Sequence, residues 1–207
     1  MSLLLILILP FIGGLVSACL PASKRVLQAS VAVTTAVLCT LCTLVYLPAF
    51  FQDGIPTVQA QWIPAYDLEF TLRLDGFAWL FTMIISVMGA FIALYAHYYL
   101  SAQDPVRRFF VFLQLFMGAM LGVVLSGNLI QLVIFWELTS LCSFMLIGYW
   151  YHRRDARRGA RMSFIITGGG GLALLAAVLM MREIVGSFDL HTVLNSGDII
   201  RNHPWYS

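Results

Sequence analysis

Charge is what this 207-residue sequence most lacks: Asp, Glu, Lys and Arg together make up 11% of it, against a hydrophobic share of 60%. Soluble domains carry about a quarter charged residues, so an ordinary soluble fold is excluded. Twelve basic residues, only one of them a lysine, leave a net charge of +2. They are too few and too dispersed for a nucleic-acid surface. Cysteine is scarce too. Cys39 and Cys42 have CxxC spacing, but no second pair and no nearby histidine complete a metal or redox site. The four cysteines are therefore expected to be packed free thiols. No Ser/His/Asp set, metal-ligand spacing or cofactor motif is present. The run Gly168–Gly171 lacks the following Lys-Ser/Thr of a phosphate loop.

What remains is long apolar runs. Six reach the length needed to cross about 30 Å of hydrocarbon: Leu3–Leu20, Val26–Phe51, Gly76–Leu100, Phe109–Ser126, Leu129–Trp150 and Met162–Met181. Each is expected to be a helix, because lipid offers no partner to an unpaired backbone group. The fold class is thus an all-α integral membrane protein with one helical domain over residues 1–207. No Lys or Arg precedes the first run, although Val16-Ser17-Ala18-Cys19 resembles a lipoprotein cleavage box; a retained first span is the expectation. Gly118 and Gly122 in the fourth run, and the glycines of the sixth, read as positions of close helix packing.

Loop charge orients the spans. The loops after runs one, three and five hold nine basic residues, including Arg153, Arg154, Arg157, Arg158 and Arg161, whereas the opposite side holds three: Arg73, Arg182 and Arg201. Basic loops remain cytoplasmic, which places both ends of the chain outside. The arginine loop is also a candidate contact for anionic membrane lipid. Of the outer segments, YDLEFTLRLD alternates like a strand, Trp62 and Tyr66 suit the interface, and Ser187 is expected to cap a short surface helix ending near Gly197. Asp75 is expected to cap the third span, and His97 to be interfacial. The sequence ends at His203–Ser207 without a seventh run, and reads like a polypeptide cut before its next helix.

One ionisable residue lies deep within a span. Glu137 in LIQLVIFWELTSLCSFMLIGYW sits about 12 Å along its helix at 1.5 Å per residue, close to mid-membrane. At about 100° per residue, Ser140 and Ser143 share its side of the helix. Intramembrane acids usually mark ion or proton paths. Burial favours the neutral form of such a group and a nearby cation favours the charged form, so an approaching Lys or Arg would drive proton release. No lysine or arginine lies in the middle of any span; the switching cation must come from elsewhere.

FVFLQLFMGAMLGVVLSGNLIQLVIFWELTSLCSFMLIGYW, the arginine-rich stretch, FIITGGGGLALLAAVLM, LDGFAWLF and YAHYYL together resemble the A-type subunit of the multisubunit Mrp-type sodium/proton antiporters. That group is related to the antiporter-like membrane subunits of respiratory complex I. The resemblance implies a bacterial inner-membrane subunit without cofactors and far longer than 207 residues, working beside other subunits on protons and sodium or another monovalent cation. It places a key glutamate at Glu137, paired with a lysine on a seventh helix that this sequence does not contain. WELTS and the glycine run favour the Mrp branch, since complex I relatives carry a charged pair near positions 169 and 171. Two alternatives stand beside the antiporter: a proton-pumping subunit of a redox complex, and a structural or assembly module that moves no ions.

Overall fold

The computed structural model describes residues 3–48, 54–63, 68–101 and 103–204. Tyr66 lies outside them. Six helices, α1 Leu3–Cys19, α2 Arg25–Leu44, α3 Gly76–Tyr99, α4 Val106–Leu125, α5 Leu129–Ile147 and α6 Arg154–Val185, account for the six apolar runs. Five are long and apolar enough to cross a membrane. α1, with 17 residues, is about 26 Å long and sits at the lower limit for a span.

α4 is the central post, touching α1, α2, α3 and α5, and α6 packs on α5 at the rim. Small and medium residues explain the centre. A Cβ on Gly118 would come within 2.8 Å of the Phe11 ring of α1, and one on Gly122 would overlap the Phe135 ring of α5. The glycine pair therefore receives aromatic rings from two helices rather than bringing two backbones together. The same end of the core holds Leu3, Ile6, Leu7, Met117, Leu121 and Leu125 in one buried cluster. Pro10 stands inside α1 and cannot donate to the Ile6 carbonyl. The buried Cys39 thiol of α2 lies 3.7 Å from that oxygen and donates to it. Cys39, Cys42 and Cys142 are buried free thiols as expected, whereas Cys19 is exposed.

Two strands, β1 Thr57–Ile63 and β2 Leu68–Arg73, pair antiparallel. The second answers to the alternating YDLEFTLRLD; the first had no such pattern, since all but one of its residues are exposed. β2 is tied to the α4–α5 turn: Gly127 N donates to Thr71 O at 2.8 Å, and Thr71 N donates to Oε1 of the buried Gln131 at 2.9 Å. Asn128 caps α5 through Oδ1, which accepts from Ile130 N and Gln131 N. Asp75 caps α3 by accepting from Ala78 N at 2.8 Å.

Three expectations are corrected. α6 begins at Arg154 rather than near Met162, so Arg154, Arg157, Arg158 and Arg161 stand on its first turns and not in a loop. Arg and Ala are strong helix formers, and Asp155 complements the first-turn dipole. α2 ends at Leu44, short of the Phe51 expected, with Pro48 following in sequence. Finally, the short outer helix α7 Leu190–Asn195 is capped by Asp189, whose Oδ2 accepts from Thr192 N at 2.8 Å. Ser187 Oγ instead accepts from Asp189 N at 3.0 Å, one step before the cap. A further helix, α8 Gly197–Arg201, follows.

The connecting segments sort to two ends. Arg25 donates to the Leu100 carbonyl, and Trp150 Nε1 donates to Asp104 Oδ1 at 2.9 Å, so the segments after α1, α3 and α5 meet at one basic end. At the other end Leu72 bridges to Ser126, and Asn128 to Asp189.

Candidate functional site

Glu137 projects from the middle of α5 toward α6. Its half-buried side chain carries an Oε1 that is shut off from solvent and has no hydrogen-bond partner among the described residues. An unpaired polar atom in an apolar interior is expensive, and at this position it is available to a proton or to a donor from outside these residues. The atom lies over Gly171. A Cβ there would overlap Oε1 and come within 2.7 Å of Cδ. The carboxyl thus occupies the volume that any other residue would take at position 171.

The other three glycines of the run differ. A Cβ on Gly168, Gly169 or Gly170 would meet nothing within 4 Å, and α6 exposes Met162, Ile165, Ile166 and Leu172 as well. Close packing, expected for the whole run, holds within this chain at Gly171 alone. A helix turns by about 100° per residue, so adjacent glycines cannot all face α5.

Ser140 is buried, and its Oγ turns back to donate to the Trp136 carbonyl at 3.3 Å. Ser143 is half-buried. Oε1 of Glu137 has neither serine as a partner. What the tertiary structure brings to the carboxylate is Gly171, which the sequence reading took for helix packing. The sole lysine, Lys24, precedes α2 at the basic end.

Three buried glutamines escaped the sequence reading, although an amide within an apolar run is itself a signal. Gln114 Nε2 donates to Ser17 Oγ at 2.8 Å and Gln28 Nε2 to the Ser17 carbonyl at 3.0 Å. These bonds join α1, α2 and α4 around a polar knot. Gln131 anchors β2 as described above.

The chain matches two family models: the transmembrane part of NADH:quinone oxidoreductase/Mrp antiporter subunits over residues 126–204, and the N-terminus of complex I (NADH-ubiquinone oxidoreductase) chain 5 over residues 62–110. The first includes both Glu137 and Gly171. Over these two stretches the chain is similar to the NADH:quinone oxidoreductase/Mrp antiporter family of membrane subunits. Within it, a probable K(+)/H(+) antiporter A/B subunit from Rhizobium meliloti (strain 1021) is 50% identical over 200 residues, covering 97% of this chain and 20% of that protein. The chain spans about a fifth of the length of that relative. Among solved structures, a chain of the Mrp complex from Dietzia sp. DQ12-45-1b superposes with a TM-score of 0.83 at 28% identity, over 99% of this chain and 22% of that one. A chain of respiratory complex I from Thermus thermophilus superposes with a TM-score of 0.78 at 25% identity, over 94% and 39% respectively. The apolar helices and these relatives together make the chain part of a multi-pass membrane protein.

Proposed function

We propose that this chain forms the N-terminal helical part of an antiporter subunit exchanging protons for a monovalent cation, with Glu137 as the group that loads and releases the proton. The observation that supports this is the Glu137 Oε1 atom, enclosed between α5 and α6 without a hydrogen-bond partner among the described residues. In this reading the carboxyl carries the proton until an approaching cation displaces it. Gly171 supplies the space in which the carboxyl sits. Ser140 and Ser143, on the same side of α5, extend the polar lining along the path.

The cation that discharges Glu137 comes from another segment or subunit, because the sequence has one lysine and it stands at the basic end. The basic end faces the cytoplasm in this reading, by its excess of arginine. Sodium is the coupling ion implied by the motif resemblance, whereas the Rhizobium relative's name specifies potassium. Proton exchange against imposed sodium and potassium gradients in membrane vesicles decides between them. Replacing Glu137 by Gln should abolish exchange while the assembly stays intact; undiminished exchange removes Glu137 from the mechanism.

A second reading, a proton-translocating subunit of a redox complex, draws on the chain 5 match over residues 62–110. The same vesicles discriminate it: exchange that runs on an ion gradient with no electron donor present favours the antiporter.

A further inference from the structure

At the basic end a cavity of about 320 Å3 opens between the first turn of α4, the end of α5 and the start of α6. Small-molecule sites begin at roughly this size, about 300 Å3. Arg108 enters it from α4, Arg157 and Arg161 from α6, and Phe144, Met145 and Tyr151 supply apolar walls. Three arginines from two helices line one space, and no Asp or Glu among the described residues lines it.

The nearby acids are turned elsewhere. Asp104 is engaged by the Trp150 indole and by Ser101 N. Asp155 stands about 200° around the helix from Arg157, on the opposite face of α6. The Arg108 guanidinium is held between the Phe112 and Tyr151 rings, 5.7 and 5.6 Å from their centroids. It is therefore fixed in place rather than free to follow solvent. Arg161 Nε donates to the Arg157 carbonyl at 3.4 Å, so these two α6 arginines share one stripe. Planar forked donors converging without a counter-charge are suited to a phosphate.

The floor of the cavity distinguishes a lipid phosphate from a free one. The Phe144 ring of α5 meets the Phe164 ring of α6, centroids 5.3 Å apart. Deeper along α6 from Phe164, Ile165 and Ile166 are exposed and apolar. A headgroup seated on the arginines would have its acyl chains leave along these rings into hydrocarbon.

We propose that this cavity is a binding site for the headgroup of an anionic glycerophospholipid, with Arg108, Arg157 and Arg161 on the phosphate and Phe144 beneath the first acyl carbons. Basic pockets between membrane helices bind such headgroups. The lipid would fill the wedge between α4 and α6, and so brace α6 against the helix that carries Glu137.

The test extracts the chain from its native membrane with the subunits that accompany it and measures motionally restricted spin-labelled phosphatidylglycerol against spin-labelled phosphatidylcholine. Phosphatidylglycerol should be preferred, and each of Arg108→Gln, Arg157→Gln and Arg161→Gln should lower that preference about fivefold, near 1 kcal/mol per arginine at a membrane surface. Arg182→Gln, at the opposite end, should leave it unchanged. Arg157 and Arg161 are exposed, so their loss removes no core packing. Arg108→Lys keeps the charge and should lose less than Arg108→Gln. Equal retention of the two lipids overturns the proposal, and so does a preference that all three glutamine variants keep. Full displacement of the lipid by inorganic phosphate also overturns it, in favour of a soluble-anion site. A carboxylate of an accompanying protein cross-linking to Arg161 would show the cavity to be a protein contact and overturn it as well.

Discussion

Glu137 of α5 and Gly171 of α6 share one volume: the carboxyl Oε1 lies where the first side-chain carbon of any other residue at 171 would stand. The two residues are 34 positions apart, and neither has a side-chain hydrogen bond to account for the contact.

Replacing Gly171 by Ala should therefore push the carboxyl aside or separate α5 from α6. Overpacking of this kind costs roughly 1–3 kcal/mol, and the melting temperature of the purified chain in detergent should fall accordingly. Gly169→Ala is the control. Its Cβ would meet nothing within 4 Å, and helix propensity alone favours Ala over Gly by about 1 kcal/mol. Equal effects at the two positions would contradict the packing described.

Cation/proton exchange should fall with Gly171→Ala in proportion to displacement of the carboxyl, and at least about tenfold with Glu137→Gln, which cannot ionise. Tenfold corresponds to about 1.4 kcal/mol. Glu137→Asp, which keeps the charge on a shorter stem away from Gly171, should retain part of the activity. Exchange in everted vesicles, normalised to the amount of assembled complex, measures all three.

Gln131→Leu should loosen the β1–β2 hairpin from the bundle. The Thr71 N–H donates to the Gln131 amide oxygen at 2.9 Å in a buried setting, and leaving such a donor without an acceptor costs about 1–3 kcal/mol. Hydrogen exchange at Thr71 should accelerate by one to two orders of magnitude, about what that cost implies. Gln131→Glu, which keeps an acceptor, should exchange more slowly than the leucine variant.

The basic end should respond to acid through Asp104. The Trp150 indole N–H first, then the Ser101 hydrogen bonds and the Arg25 charge, hold this carboxyl below its ordinary value despite partial burial. The stabilisation is thus present in full above the unfolded value of about 3.9 and is lost as pH falls through the lower native value. Trp150→Phe should cost about 1 kcal/mol at neutral pH, toward the low end for a hydrogen bond to a charged group because the site is half open to solvent. The difference between wild type and variant should shrink as Asp104 protonates, so the gap between their melting temperatures should narrow as pH falls below the ordinary carboxylate range. A gap that persists at low pH would assign the effect to ring packing instead.

By itself, the sequence determined the six helices, the basic character of the segments after α1, α3 and α5, and the one acid placed deep within a span. Each follows from a local rule: apolar length, loop charge, or the cost of ionisation in hydrocarbon. The α3 cap at Asp75 was equally legible, because capping involves residues three apart. Ser187 was mistaken for a cap because Asp189, two residues on, competes for the same role, and only the backbone path between α6 and α7 selects it. Tertiary structure alone decided that one glycine of four faces Glu137, that aromatic rings rather than backbones fill Gly118 and Gly122, and that α6 extends through the arginines. It also decided which glutamines knot α1 to α2 and α4. These depend on the rotation of one helix against its neighbour, and periodicity within a nearly all-apolar helix carries little information about which side faces protein. The polar exceptions, Glu137 and the glutamines, are what mark that side.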